Sequence, residues 1–138
     1  MNTKKATDTI KLGQRFVKKL KGGITLALIG DLGSGKTTFV KGLAKGLGVK
    51  EKINSPTFVL FKVYQAKHAK IKQLVHADCY RVPGKELANI GLDDYLNDKQ
   101  TMVVVEWGEK LPKLPRGIKK IFFTYGKKNN ERSINITR

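Results

Sequence analysis

Cysteine is nearly missing from this chain. Cys79 is the only one, so no internal disulfide can form and a reducing cytoplasm is the expected home. Long apolar runs are missing too: no stretch reaches the ~18–20 apolar residues of a membrane span, so no membrane contact is expected. The opening Met1-Asn2-Thr3-Lys4-Lys5 lacks the apolar stretch of a signal peptide. There is no Cys/His cluster with metal-ligand spacing and no nucleophile elbow, which argues against a structural zinc and against covalent catalysis. Acids are scarce, with 11 Asp and Glu against 28 Lys and Arg for a formal charge of +17. Such a balance points to an anionic partner such as RNA, DNA or an acidic protein surface, unless the lysines merely solvate the outside. At 138 residues the chain is expected to form one domain, 1–138.

What is present is organised around Gly30-Asp31-Leu32-Gly33-Ser34-Gly35-Lys36-Thr37-Thr38, which fits G-x-x-x-x-G-K-[ST]. Ile24-Thr25-Leu26-Ala27-Leu28-Ile29 runs into it, apolar almost throughout, as a strand buried on both faces reads. Phe39 to Leu47 follows, with Val40, Leu43, Ala44 and Leu47 at helical spacing. Strand, Gly-rich turn and helix therefore come in the order a phosphate-binding loop requires. Glycines let the backbone turn its N–H groups inward, and the helix directs its positive end at the same spot. Asp31, Leu32, Gly33, Ser34, Gly35, Lys36, Thr37 and Thr38 are thus candidate nucleotide contacts. Lys36 has the reach for the β- and γ-phosphates, and the Thr37 hydroxyl suits Mg²⁺.

Around this unit the pattern predicts a helix over residues 7–21, with Thr7 as its N-cap and Gly22-Gly23 as its stop. A strand from about Thr57 to Tyr64 pairs with a second over Ile71–Asp78 as a hairpin. Lys85–Tyr95 reads as helix in short pieces, Thr101–Trp107 as a fully buried strand, and Leu111–Pro115 as a loop. Ile118–Tyr125 and Ser133–Thr137 alternate like an antiparallel terminal hairpin. The sum is an α/β fold, a P-loop NTPase-like three-layer domain with a mixed parallel/antiparallel sheet, its antiparallel strands at an edge. Ligands in such sheets sit at the carboxyl ends of the strands.

A P-loop ATPase needs an acid to support Mg²⁺ and a polar group to orient the attacking water. Only Asp78 and Glu106 end apolar strands. Mg²⁺ is therefore assigned to Thr37 with support from Glu106 and Asp78, and the candidate catalytic residues are Lys36, Asp78 and Glu106. Sequence does not separate which acid orients the water. Ser55-Pro56-Thr57 is a candidate γ-phosphate sensor or simply a loop entering a strand. His76 reads as a satisfied core histidine more readily than as a ligand, and Trp107 as core.

Four stretches together resemble one family. They are Gly30 to Thr38, Ser55-Pro56-Thr57-Phe58, His76-Ala77-Asp78-Cys79-Tyr80-Arg81 and Val105-Glu106-Trp107, with Gly91 to Leu96 similar to a shorter segment between the last two. The resemblance is to the bacterial TsaE (YjeE-type) ATPases of tRNA N6-threonylcarbamoyladenosine biosynthesis, and it spans roughly residues 7 to 136. It implies a weak ATPase that uses ATP and Mg²⁺ and works with a transferase subunit (TsaD-type) and its paralogue (TsaB-type). They modify adenosine 37 of tRNAs that read codons beginning with A. This chain would not be the transferase; its ATP cycle would reset or regulate the complex. The resemblance carries Mg²⁺ and nucleotide contacts to Thr37, Glu106 and Asp78, and places Thr9 and Arg132 near the adenine. Ser34 stands where the family usually has Ala, and Cys79 where it usually has Leu. The +17 charge exceeds that of the family and leaves open a direct tRNA contact.

Other readings fit less well. A small metabolite kinase would carry an Arg-rich lid, whereas Arg15, Arg81, Arg116, Arg132 and Arg138 are scattered. A GTP switch would carry Asn-Lys-x-Asp, which is absent. A basic RNA-binding module would leave the loop without a task.

Overall fold

The computed structural model describes residues 1–54, 61–79, 91–108 and 117–137. The elements in chain order are β1 (Asn2–Thr3), α1 (Ala6–Lys18), β2 (Ile24–Ile29), α2 (Lys36–Gly46), β3 (Phe61–Gln65) and β4 (Gln73–Asp78). A short 3-10 helix (Leu92–Asp94) precedes β5 (Thr101–Glu106), β6 (Lys119–Tyr125) and β7 (Arg132–Ile136).

The strands form one seven-stranded sheet in the order β1-β7-β6-β2-β5-β4-β3. Its centre is parallel: β2 pairs with β5 and β6, and β4 pairs with β5. Hairpins flank the centre, β3–β4 on one side and β6–β7 on the other, and β1 adds antiparallel to β7. Antiparallel pairing thus closes both edges rather than one: β3–β4 and β6–β7 are joined by local turns, which parallel strands cannot use, and β1 returns from the start of the chain to pair with β7.

The two faces of the sheet bury different sets. Leu26, Leu28, Leu74, Met102, Val104, Ile121 and Phe123 face the helices and pack on Leu12, Val17, Phe39, Val40 and Leu43. Phe39 joins Phe16 and Phe123 in edge-to-face contacts at 6.2 and 5.6 Å between centroids. Val75, Ala77, Val103 and Val105 face the other way, onto Leu92, Tyr95 and Leu96. Central strands buried on both faces explain the nearly unbroken apolar runs at 24–29 and 101–105.

The sequence places most elements within a few residues. Helix α1 begins earlier than expected, at Ala6, with Lys5 as its N-cap. Thr7 is therefore inside the first turn, and Asp8 reaches back instead, its carboxylate accepting the Lys4 N–H at 3.1 Å. Strand β1 was not expected; two residues carry no period to read. The expected strand start at Thr57, the first part of the expected helix at 85–95 and the loop at 111–115 lie outside the described residues, apart from the strand's continuation as β3.

Helices α1 and α2 run side by side because glycine faces backbone at their crossing. A Cβ added at Gly13 would stand 2.7 Å from the Phe39 oxygen and 2.8 Å from the Leu43 nitrogen, and one at Gly42 would strike the Ile10 carbonyl. Alanine gains about 1 kcal/mol of helix propensity over glycine, but overpacking against rigid backbone costs about 1–3 kcal/mol or more. Gly42→Ala is therefore expected to lower the urea midpoint despite its better propensity, and a raised midpoint would show that the helices can part without cost.

Candidate functional site

Strand β2 delivers the chain to the loop at the carboxyl edge of the sheet. Gly33 and Gly35 take φ of 73° and 104°, the left-handed region that other residues adopt only with strain. Helix α2 starts at the next residue, Lys36, and its cap residue Gly35 offers no side chain to the first-turn N–H groups. A helix opened this way aims its amides at whatever enters the loop. Inside the bend Ser34 is 1% exposed and its hydroxyl has no hydrogen-bond partner among the described residues.

The terminal hairpin holds the loop from outside. The Tyr125 hydroxyl donates to the Leu32 carbonyl. Arg132 donates through Nε and Nη2 to the Gly33 carbonyl at 3.3 and 3.0 Å, with its guanidinium 5.1 Å from the Tyr125 ring centroid. Thr9 comes from the other side; a Cβ added at Gly35 would lie 3.9 Å from its methyl and 3.7 Å from Arg132 Cγ. The Thr9 hydroxyl is held by Thr3 at 2.9 Å. Tyr125 was not expected at the site, since its place on an alternating strand gives no sign of a bond to residues some ninety positions earlier.

Lys36 is only 5% exposed. Its ammonium donates to the Gly30 and Asp31 carbonyls, the latter at 3.0 Å, and lies 4.0 Å from the Trp107 ring centroid. Trp107 itself has φ of 60°, a conformation that costs a non-glycine residue about 1–3 kcal/mol. That twist turns the indole from the end of β5 over the loop lysine, so Trp107 does more than fill the core as the sequence suggested.

The acids converge from the neighbouring strands. Glu106 ends β5, is 3% exposed, and accepts the Thr37 hydroxyl at 2.9 and 3.1 Å. His76 on β4 is fully buried, and its Nε2 lies 2.5 Å from the same carboxylate, while its Nδ1 has no hydrogen-bond partner among the described residues. His76 is thus a core histidine, as its setting suggested, yet it is bonded to a candidate site residue. Its spacing two before Asp78 on an alternating strand was the readable signal. Asp78 ends β4 directly beside Glu106 in the parallel register, one strand spacing of about 4.8 Å away. Leu28 lies beside Glu106 on the other side, so loop and acids share one edge.

The structure therefore brings Asp31 to Thr38, Thr9, Arg132, Glu106 and Asp78 to one end of the sheet. Asp31, Leu32 and Gly33 are exposed, Thr37 and Thr38 half-buried. Ser55-Pro56-Thr57 and Arg81 lie outside the described residues. Glycine-permitted turns and a helix N-terminus suit a polyphosphate, and a hydroxyl against a carboxylate suits a hard divalent cation.

Comparison with known proteins shows the family and supports the fold. The model of the family described as "Threonylcarbamoyl adenosine biosynthesis protein TsaE" matches residues 3–134. Among curated relatives, the tRNA threonylcarbamoyladenosine biosynthesis protein TsaE of Streptomyces coelicolor is 44% identical over 101 residues, 72% of this chain and 66% of that one. Its Nostoc counterpart is 37% identical over 122 residues, 86% of this chain and 74% of that one. The Bacillus subtilis TsaE is 40% identical over 116 residues, covering 81% and 68%. The match thus spans about two thirds of the Streptomyces relative's length. Among solved structures, the crystal structure of Bacillus subtilis YdiB superposes with a TM-score of 0.72 at 31% identity, covering 99% of this chain and 82% of that one.

A buried carboxylate that loses one partner exposes the other to an unmet desolvation cost of about 1–3 kcal/mol. His76→Ala and Glu106→Ala are each expected to lower the melting temperature. The double variant should be less damaged than the two single losses added, by about 1 kcal/mol or more. Simple additivity would mean that the two side chains do not support one another.

Proposed function

Because the chain belongs to the TsaE family of threonylcarbamoyl adenosine biosynthesis proteins, we propose that it is an ATP-binding, weakly hydrolysing, Mg²⁺-dependent ATPase serving tRNA threonylcarbamoyladenosine synthesis. One observation carries the reading: the first hydroxyl of the loop helix, on Thr37, sits 2.9 Å from a buried strand-end carboxylate, Glu106. That pairing has little purpose in an inert turn, where a solvent-facing threonine would serve as well.

In this reading the amides from Gly33 to Thr38 receive the phosphates, and Lys36 leaves its loop carbonyls to meet the β- and γ-phosphates. Thr37 and Glu106 hold Mg²⁺, with Asp78 beside them. When bound, the ion neutralises developing phosphate charge. One of the two carboxylates, Asp78 or Glu106, orients the attacking water. His76 fixes the aim of Glu106 through its 2.5 Å contact. Thr9 and Arg132 flank the loop on the side where the nucleoside leaves it. The protein is not itself the transferase. Its cycle resets a cytoplasmic complex with a TsaD-type transferase subunit and a TsaB-type paralogue, whose association the family membership supports.

The chain's single tryptophan provides the readout of binding. Phosphates that draw Lys36 off the indole are expected to change Trp107 emission. Lys36→Ala and Thr37→Ala should abolish productive ATP·Mg²⁺ binding while circular dichroism stays that of the parent. Glu106→Ala should lose turnover by about 100-fold and lose binding far less. Phosphate release should be slow for the protein alone and faster with the two partners and tRNA. A parent protein that neither binds ATP·Mg²⁺ nor associates with those partners would end this reading.

A further inference from the structure

The outer side of the helix pair carries charge of one sign. Helix α1 exposes Lys11, Arg15 and Lys18, and α2 exposes Lys41 and Lys45. Spacings of four and three align the α1 residues in one stripe, about 10 Å long at 1.5 Å per residue. The glycine contacts bring the α2 stripe alongside, with helix axes about 8–10 Å apart. Gly46 abuts Gln14 and Val17, so Lys45 lies beside the second half of α1. Asp8 is the one acid in either helix, and it is occupied with the Lys4 N–H.

Among the described residues the acids cluster away from this face. The layer on the opposite face of the sheet, entered by Leu92, exposes Asp93, Asp94 and Asp98. Among the described residues, lysine and arginine therefore line the outside of the helix pair without acids between them, while residues 91–99 expose three aspartates beside Lys99.

The form of the basic face selects its ligand. Five cations in two rows on a helical surface offer no concavity for a single small anion; they match repeated charges along a polymer. A protein partner would need aromatic or aliphatic anchors, and a membrane-lying helix an exposed apolar stripe. Among the described residues the large exposed apolar side chains are Met1, Leu32, Phe122 and Tyr125, none of them in α1 or α2. The apolar stripe of α1 is already buried against the sheet.

We propose that the outer face of α1 and α2 binds the phosphate backbone of RNA, with Lys11, Arg15, Lys18, Lys41 and Lys45 as the contacts. The choice of RNA over DNA rests on the proposed role in tRNA modification; the phosphate contact itself does not. The face lies on the far side of α2 from the sheet, while the loop lies at the end of α2, so nucleotide and RNA can be held together.

The test is titration of the full chain into a labelled tRNA transcript across a salt series. Five phosphate contacts predict that log affinity falls with log salt with a slope of about −4. Lys11→Glu/Arg15→Glu/Lys18→Glu should weaken binding by at least about 10-fold and flatten the slope by about 2. Lys11→Gln/Arg15→Gln/Lys18→Gln should act in the same direction with less risk to the fold, which circular dichroism checks. Lys99→Glu/Lys127→Glu/Lys128→Glu changes net charge equally but lies elsewhere, and should leave affinity within about 3-fold of the parent. Equal losses from both sets, no tRNA binding by the parent, or a loss of binding to phosphatidylglycerol vesicles in place of tRNA would each overturn the proposal. ATP titration of the same proteins keeps the questions apart: failure to bind ATP refutes the proposed ATPase and leaves the tRNA result standing.

Discussion

A carboxylate sealed away from water binds this molecule together. Glu106 is almost wholly buried, and an ion in that position is tolerated only with partners that replace its lost solvent. Those partners come from two different elements: the Thr37 hydroxyl from the first turn of α2 and the His76 ring from β4. One side chain therefore registers a helix against two strands. The parallel pairing of β2 with β5 supplies the rest, since it sets the end of the loop strand level with the end of the acid strand. A helix that slid by one residue, or a strand that slipped by one, would strand a charge in the core. Few packing errors are punished as heavily.

The loop is consequently held from three directions. Its helix is anchored at Thr37, its lysine is folded against its own carbonyls beneath a strained tryptophan, and its crest is tied to β6 and β7 by Tyr125 and Arg132. The ties to Gly30 and Gly33 use their carbonyls, and no side chain is needed at either position. Strain at Trp107 sits where functional sites tend to store it, in the residue after a strand-end acid.

Much of this could be read before any coordinates. The strand–loop–helix unit was legible because three independent signals coincide: an unbroken apolar run, spaced glycines and a helical period. Strand β5 was legible for the first of these reasons, and strand ends alone put the acids at 78 and 106 at the sheet's carboxyl edge, though not side by side as the register shows. What escaped was information carried by distance in space. Tyr125 and Arg132 touch residues 32 and 33 through a fold, not through a pattern. The family resemblance brought Arg132 to the site, and nothing brought Tyr125. His76 looked like core because it is core; only the paired strand shows that its ring nitrogen meets Glu106. Strand β1 is too short for any period, and the start of α1 was displaced because Asp8, not Thr7, closes the cap. The basic stripe on α1 and α2 was likewise invisible in a total of +17, since lysines on opposite faces count alike in a sum.

Strand order has a bearing on how the chain is made. β1 lies beside β7, with the Met1 amino group and carbonyl both bonded to Ile134, and the phosphate loop is pinned by residues about a hundred positions downstream. A ribosome emitting this polypeptide releases the loop early and its outer clasp late. Until residues 125 and 132 emerge, the nascent loop has its glycines but not its outer clasp, and residues 2–3 lack the strand they pair with. The loop therefore takes its final form only after Tyr125 and Arg132 have left the exit tunnel.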